Sequence, residues 1–207
     1  MHNKKKENSI KSLINLYTVV MGVALSMSIT TLIDPQVGLT SVRMSALLLF
    51  TSFILTLLPF YHGALRHLDD AYIENASQQV KDGVLVFDFL LLLLHAMAFV
   101  VLSLLIQVPN HFAWLLCAVF LIDVIWAVFA HFGTTSDGEN VAEWKWAVIN
   151  FIFILVVVSY LVYNEIYFDP VTNPIGLAML IMAASLIRTL VDYIWGKDFY
   201  FPKSNSE

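Results

Sequence analysis

The sequence predicts an all-α polytopic membrane protein, a bundle of six transmembrane helices with very short loops and both termini in the cytoplasm. Three observations support this fold class. Of the 207 residues, 59% are hydrophobic and only 13% are charged, too few charges to cover a soluble domain of this size. The apolar residues fall into six long runs. The lysines and arginines concentrate on alternate connections between those runs.

Each apolar run approaches the ~20 residues with which a helix crosses ~30 Å of hydrocarbon. The first run is too long for a signal-peptide core and ends in Asp34-Pro35 rather than at a small-residue cleavage site, so we predict that it is retained as a span. The runs occupy nearly the whole chain, which predicts one transmembrane domain over 1–207. The predicted spans are 10–34, 43–62, 83–107, 111–132, 144–164 and 174–195.

The orientation of the bundle follows from the cations that flank the spans. Arg43 is the one flanking cation on the side predicted to be exterior. The positive-inside bias therefore places the other side in the cytoplasm, and we expect a multi-pass protein of a bacterial inner (plasma) membrane. A net charge of −5 without a basic patch argues against nucleic-acid binding. The cations on the predicted cytoplasmic side are Lys4, Lys5, Lys6, Lys11, Arg66, Lys81, Lys145, Lys197 and Lys203.

Ionisable residues lie within the spans, where they are costly and by default face the bundle interior or a wet cavity. Asp88 and His95 are two helical turns apart and share a face of span three, as Arg188 and Asp192 share a face of span six. These groups fall in the cytoplasmic half, so we predict one polar cavity open to the cytoplasm. The predicted cavity residues are His62, Arg66, Asp88, His95, Asp123, His131, Asn150, Arg188 and Asp192.

Asp123 is the deepest predicted carboxylate of this set. At 1.5 Å per residue it lies ~13 Å from the cytoplasmic end of span four, so we expect it to pair with Arg188 or Arg66. The alternative interpretation is a structural salt-bridge network that holds helices together, with these two arginines neutralising Asp88, Asp123 and Asp192.

Span one carries small polar residues at intervals of three or four, which form a stripe from one interface to the other. Such residues let helices approach closely and hydrogen-bond across, and in an oligomer the same stripe would line a hydroxyl-rich conduit. Span two adds Ser45, Ser52 and Thr56 on a similar stripe. The candidate pore stripe of span one is Asn15, Thr18, Gly22, Ser26 and Thr30.

Aromatic residues near the span ends predict interfacial anchoring, because their rings are apolar with one polar tip. On the predicted cytoplasmic side these residues are Trp144, Trp146, Tyr193 and Trp195. On the predicted exterior side they are Trp114, Tyr160, Tyr163 and Tyr167.

The sequence gives little indication of an enzyme. No His-Glu-x-x-His pair and no activated Ser or Cys nucleophile is present, and Cys117 lies mid-span as a small apolar residue. We therefore expect no catalytic residues, no metal and no cofactor. One weak metal hypothesis stays open at His62, His67 and Asp70, which lie within about two turns of helix.

Two short segments resemble the six-helix potassium channels that lack a re-entrant pore loop. They are the first-span ending Ser28-Ile29-Thr30-Thr31-Leu32 and Ser52-Phe53 followed by His62. The resemblance covers about a fifth of the chain, and the Phe-Ser-Asp motif of those channels is absent, so the likeness is one of architecture.

Three function classes remain, in decreasing order of preference. The first is a small oligomeric channel or transporter whose polar cavity opens to the cytoplasm. The second is a membrane subunit or sensor that docks a soluble cytoplasmic protein. The third is an intramembrane enzyme that uses the histidines and aspartates. The first class implies a homo-oligomer in the lipid bilayer, because a continuous polar route has to reach both interfaces.

Overall fold

The computed structural model describes residues 2–33, 42–69, 72, 82–133, 141–167 and 174–201, and no strand occurs among them. Six of the helices, α1–α6, are long and apolar enough to cross a membrane, which confirms the predicted six-helix membrane bundle. The orientation with both termini in the cytoplasm stays a prediction. The helices are α1 (His2–Leu32), α2 (Met44–Asp69), α3 (Asp82–Leu104), α4 (Pro109–Gly133), α5 (Val141–Tyr167), α6 (Pro174–Trp195) and the short α7 (Lys197–Tyr200).

Two helix boundaries differ from the predicted spans for local reasons. Helix α1 begins at His2, well before the apolar run, and its polar first turns carry an i,i+4 ion pair in which Lys11 Nζ lies 2.6 Å from Glu7 Oε1. Helix α3 ends at Leu104 instead of 107, and a turn leads to Pro109. The residue before a proline disfavours helical geometry, so α3 and α4 cannot run on as one helix.

The helices pack mainly as three pairs, α4 with α5, α1 with α3, and α2 with α6. One end of the bundle contains the start of α1 and the ends of α2, α4 and α6. We refer to it as the proximal end and to the opposite end as the distal end. Two clusters of buried residues close the proximal end, namely Ile10, Leu68 and Tyr72, and Trp126, Trp146 and Tyr200.

The distal interior of the described bundle is filled mainly by large apolar side chains. Its buried serines donate to carbonyl groups of their own helices, as Ser52 Oγ does to Leu48 O at 2.9 Å and Ser103 Oγ to Val100 O at 2.6 Å. These hydroxyls are therefore satisfied locally and do not form a polar path. The large side chains are Leu49, Phe53, Phe99, Leu102, Ile106, Phe112, Leu116 and Ile181.

A proline inside α2 ties this helix to α6. Pro59 has no N–H, so the carbonyl of Leu55, four residues earlier, loses its helical donor. Thr189 of α6 replaces that donor, because its hydroxyl donates to Leu55 O at 2.6 Å. This hydrogen bond fixes α2 against α6 close to the polar residues of α6.

Candidate functional site

A cavity of about 50 Å³ lies in the proximal half of the bundle. Its walls combine aromatic and aliphatic side chains with ionisable ones from α2, α3, α4, α6 and α7. A space of this size holds on the order of one or two water molecules. The ionisable side chains that line it are His67, His95, Asp123, Arg188, Asp192 and Tyr200.

Arg188 is the centre of the site and is only 5% exposed. Its Nε donates to Asn150 Oδ1 at 2.7 Å, and its Nη2 lies 3.6 Å from Asp192 Oδ2. The guanidinium also lies over the rings of Phe60 and Phe120, with centroid distances of 5.1 and 4.8 Å. Ring faces attract a cation, so these two side chains hold the guanidinium without accepting its protons. Arg188 Nη1 has no hydrogen-bond partner among the described residues.

Asp192 is buried and receives three donors. Trp146 Nε1 and the Tyr200 hydroxyl donate to its Oδ1 at 2.9 and 3.1 Å, while Oδ2 faces Arg188. Burial, together with the charge of Asp192, raises the pKa of Tyr200, so the phenol keeps its proton and remains a donor. The lone pairs of this carboxylate are therefore committed to protein groups.

Asp88 forms a second buried carboxylate site of the same kind. Its Oδ2 accepts from the Tyr72 hydroxyl at 2.6 Å and lies 3.2 Å from His67 Nε2. Its Oδ1 accepts from Trp126 Nε1 at 3.2 Å. Burial and the hydrogen bond to Asp88 raise the pKa of Tyr72, which keeps this phenol a donor as well.

Asp123 and His95 differ from these two carboxylate sites because they face the cavity with unused capacity. Asp123 accepts a hydrogen bond from the Asn150 amide through Oδ2. His95 Nδ1 lies 3.0 Å from the carbonyl oxygen of Leu91. A carbonyl oxygen can only accept a hydrogen bond, so Nδ1 carries a proton. His95 Nε2 has no hydrogen-bond partner among the described residues.

The proximal mouth of the cavity is covered by a segment that we call the strap, residues 196–201. Helix α6 is interrupted at Gly196, where an added Cβ would lie 2.8 Å from Tyr200 Cε2 and 2.9 Å from Asp192 O. Only glycine permits this close approach. The strap is fastened to α2, because Arg66 Nε donates to Phe199 O at 3.1 Å and the Tyr200 ring lies 4.8 Å from the His62 ring.

The predicted cavity residues fall into three groups in the structure. His95, Asp123, Arg188 and Asp192 line the cavity, and Asn150 links two of them from behind. Asp88 lies in the neighbouring site with His67, and His62 and Arg66 hold the strap. His131 belongs to α4, but its side chain lies outside the described residues.

Two predictions about individual residues were wrong. Asp123 makes no direct ion pair with Arg188 or Arg66 within the described part of the chain, because Asn150 stands between it and Arg188. Trp146 is no interfacial anchor, since it is 8% exposed and donates to Asp192. Sequence reasoning also missed the roles of Trp126 and Tyr200 as donors to buried carboxylates.

The candidate pore stripe of α1 lies on the outer surface of the described bundle. All of its residues are exposed, whereas Tyr17, Met21, Ala24 and Ser28 form the buried face of the helix. On α2 the situation is reversed, because Ser52 and Thr56 are buried. The two stripes therefore do not line a common path inside the bundle. The outward-facing residues are Asn15, Thr18, Gly22, Ser26 and Thr30.

Nothing in the described ranges supports a metal centre. No group of three or more His, Cys, Asp or Glu residues with suitable geometry occurs there. Among the residues of the weak metal hypothesis, Asp70 lies outside the described residues, and His67 forms a hydrogen bond with Asp88.

Comparison with known protein families, curated proteins and solved structures finds no match for this chain. Its function therefore has to be inferred from the geometry of the site.

Proposed function

We propose that the protein is a small homo-oligomeric channel or transporter whose polar cavity opens to the cytoplasm and receives the solute. The observation that carries this proposal is the pair of buried groups that point into the cavity without partners among the described residues, Arg188 Nη1 and His95 Nε2. A purely structural salt-bridge network would commit its donors and acceptors to one another. Here a guanidinium donor and one imidazole nitrogen are left for a molecule inside the cavity.

The distal half requires a second protomer in this proposal. The described distal interior is apolar, so a polar route from the cavity to the far interface does not run through one protomer. The stripe on α1 is polar, faces outward and extends from Asn15 to Thr30. Small and hydroxylic residues drive association of transmembrane helices, and between protomers they would supply the polar lining that the distal interior lacks.

Flux measurements in proteoliposomes test the proposal. Wild type should pass small ions in a pH-dependent or voltage-dependent assay, and Ser26→Leu should reduce this flux to the level of empty vesicles. The matched control is Val23→Leu, which enlarges an exposed neighbour that lies off the stripe. Both substitutions are apolar and should leave insertion unaffected.

Two outcomes would contradict the proposal. One is the absence of flux in wild type for every ion tested, with correctly folded protein by size exclusion. The other is an equal effect of the two substitutions, which would assign the α1 stripe to packing alone.

A further inference from the structure

The charged side chains that line the cavity include one more carboxylate than guanidinium groups. Within the described residues, the carboxylate without an ion-pair partner is that of Asp123. Arg188 is matched by Asp192, whose Oδ2 lies 3.6 Å from Nη2. Asp123 receives only the neutral Asn150 amide, and it forms no ion pair within the described part of the chain. When His95 is neutral, the cavity therefore carries one net negative charge.

The position of Asp123 makes this surplus unfavourable. It lies ten residues before the end of α4 at Gly133, which places it ~15 Å along the helix from the proximal end. A carboxylate at this depth is costly unless it is paired, protonated or bound to a cation. The neighbouring donors do not relieve it, since Trp126 donates to Asp88 and Trp146 to Asp192.

The chemistry of the lining favours a proton over a metal cation. Hard cations need six or more oxygen ligands, or waters that complete the shell. This cavity is small, most of its wall is apolar, and the carboxylate oxygens of Asp192 are already engaged. The guanidinium of Arg188 in the same space also repels a second cation.

His95 is placed to exchange that proton. Its Nδ1 proton is held on Leu91 O, so Nε2 is the ring nitrogen that is left to exchange a proton with the cavity. A proton that arrives through water can bind Nε2 to give an imidazolium, and can then pass to the free oxygen of Asp123. One N–H bond breaks and one O–H bond forms, so the transfer needs no further reactant.

We infer that Asp123 and His95 form a proton-binding site, and that the ion moved or coupled by the proposed transporter is the proton. This inference deepens the proposed function and rests on it for transport, while proton binding itself can be measured separately. The titratable and charged groups around Asp123 come from α1, α2, α3, α6 and α7, while α5 contributes the neutral side chains of Asn150 and Trp146. The titratable and charged groups are Tyr17 on α1, His67 on α2, His95 on α3, Arg188 and Asp192 on α6, and Tyr200 on α7.

Infrared spectroscopy of the purified full chain tests proton binding without any transport assay. At neutral pH, wild type should show the C=O band of a protonated carboxylic acid that is absent from Asp123→Asn. Asp88→Asn and Asp69→Asn should retain the band, because Asp88 is saturated by donors and Asp69 is largely exposed. Should Asp123→Asn fail to fold, Asp123→Glu should instead shift the frequency of the band.

The outcomes separate this inference from the proposed function. Proton flux in wild-type proteoliposomes that is lost in both Asp123→Asn and His95→Gln supports the two together. The band without any flux leaves the proton site standing and overturns transport. Flux without the band overturns the proton site. Loss of the band when Na⁺ is added at constant pH also overturns it, because a small cation would then bind in place of the proton.

Discussion

Asp88 and Asp192 lie on different helices and are nevertheless bound in the same way. Each accepts from a tryptophan indole and a tyrosine hydroxyl, and each also faces a side chain that carries or can acquire positive charge. Asp123, which lies between these two sites, has one amide donor and an open cavity. The comparison teaches that burial alone does not make a carboxylate functional.

The difference between the two kinds of site lies in unused hydrogen-bonding capacity. A saturated carboxylate such as Asp192 fixes the geometry of its donors, and any change there is a change in stability. A carboxylate with few hydrogen-bond donors, such as Asp123, keeps one oxygen available to bind a group that can come and go, such as a proton. The predictions below test this contrast through the stability of the detergent-solubilised protein, from the largest expected effect to the smallest.

Asp192→Asn should cause the largest loss. It keeps the shape of the side chain but leaves Arg188 as a buried cation without its ion-pair partner. Removing one member of a buried pair costs about 3–5 kcal/mol, so the melting temperature should fall sharply. Asp123→Asn should melt close to the wild-type temperature, because it replaces a protonated carboxyl by a neutral amide of the same shape that can still accept from Asn150. An equal loss in both variants would remove the distinction between the two carboxylates.

Trp146→Phe should have the next largest effect. The substitution keeps an aromatic ring but removes the indole N–H that donates to Asp192 at 2.9 Å, together with part of the buried ring volume. A buried acceptor that loses one of its donors costs about 1–3 kcal/mol. Trp114→Phe, at a half-exposed site, is the control, and its melting temperature should stay close to that of wild type. Similar melting of the two variants would show that Asp192 does not depend on its indole donor.

Tyr200→Phe should have the smallest effect of the three. It removes a hydrogen bond of 3.1 Å to an oxygen that keeps Trp146 as a donor, so we expect a loss of about 0.5–1.5 kcal/mol. Thermal melting and limited proteolysis at the proximal end measure it. A loss as large as that of Asp192→Asn would mean that the strap, rather than the ion pair, holds the site together.

The sequence predicts the six helices well, because apolar runs of this length have few stable alternatives. It also predicts which ionisable residues gather in the proximal half, because a charge within a span has to face inward. The cost of burying polar groups is thus a reliable guide to helix faces. His95, Asp123, Arg188 and Asp192 follow this rule, and all four line the cavity.

The aromatic donors were harder to predict, although a signal for them exists. Trp146 lies four residues before Asn150 and Trp126 three residues after Asp123, so each shares a helical face with a residue predicted to point inward. A tryptophan near a span end fits both the membrane interface and a buried carboxylate, and the side chain type alone does not distinguish them. The partners are distant in sequence, and only the fold brings them together.

The face of α1 that packs into the bundle was the feature hardest to predict. Its stripe of small polar residues and its buried face, with Tyr17 and Ser28, both contain polar groups in an apolar helix. Threonine hydroxyls can satisfy themselves on the backbone, as Thr18 does on Ile14 O at 2.9 Å, so they do not force a helix to turn inward.

Tyr200 takes part in two tasks at once, since its ring covers the mouth of the cavity and its hydroxyl donates to Asp192. Lifting the strap therefore removes a donor from the counter-ion of Arg188 at the same moment that it widens the mouth. Thermodynamic linkage makes this relation reciprocal. If the cavity binds a solute as proposed, a movement of the strap that changes the affinity for the solute is itself favoured or opposed by the bound solute to the same extent.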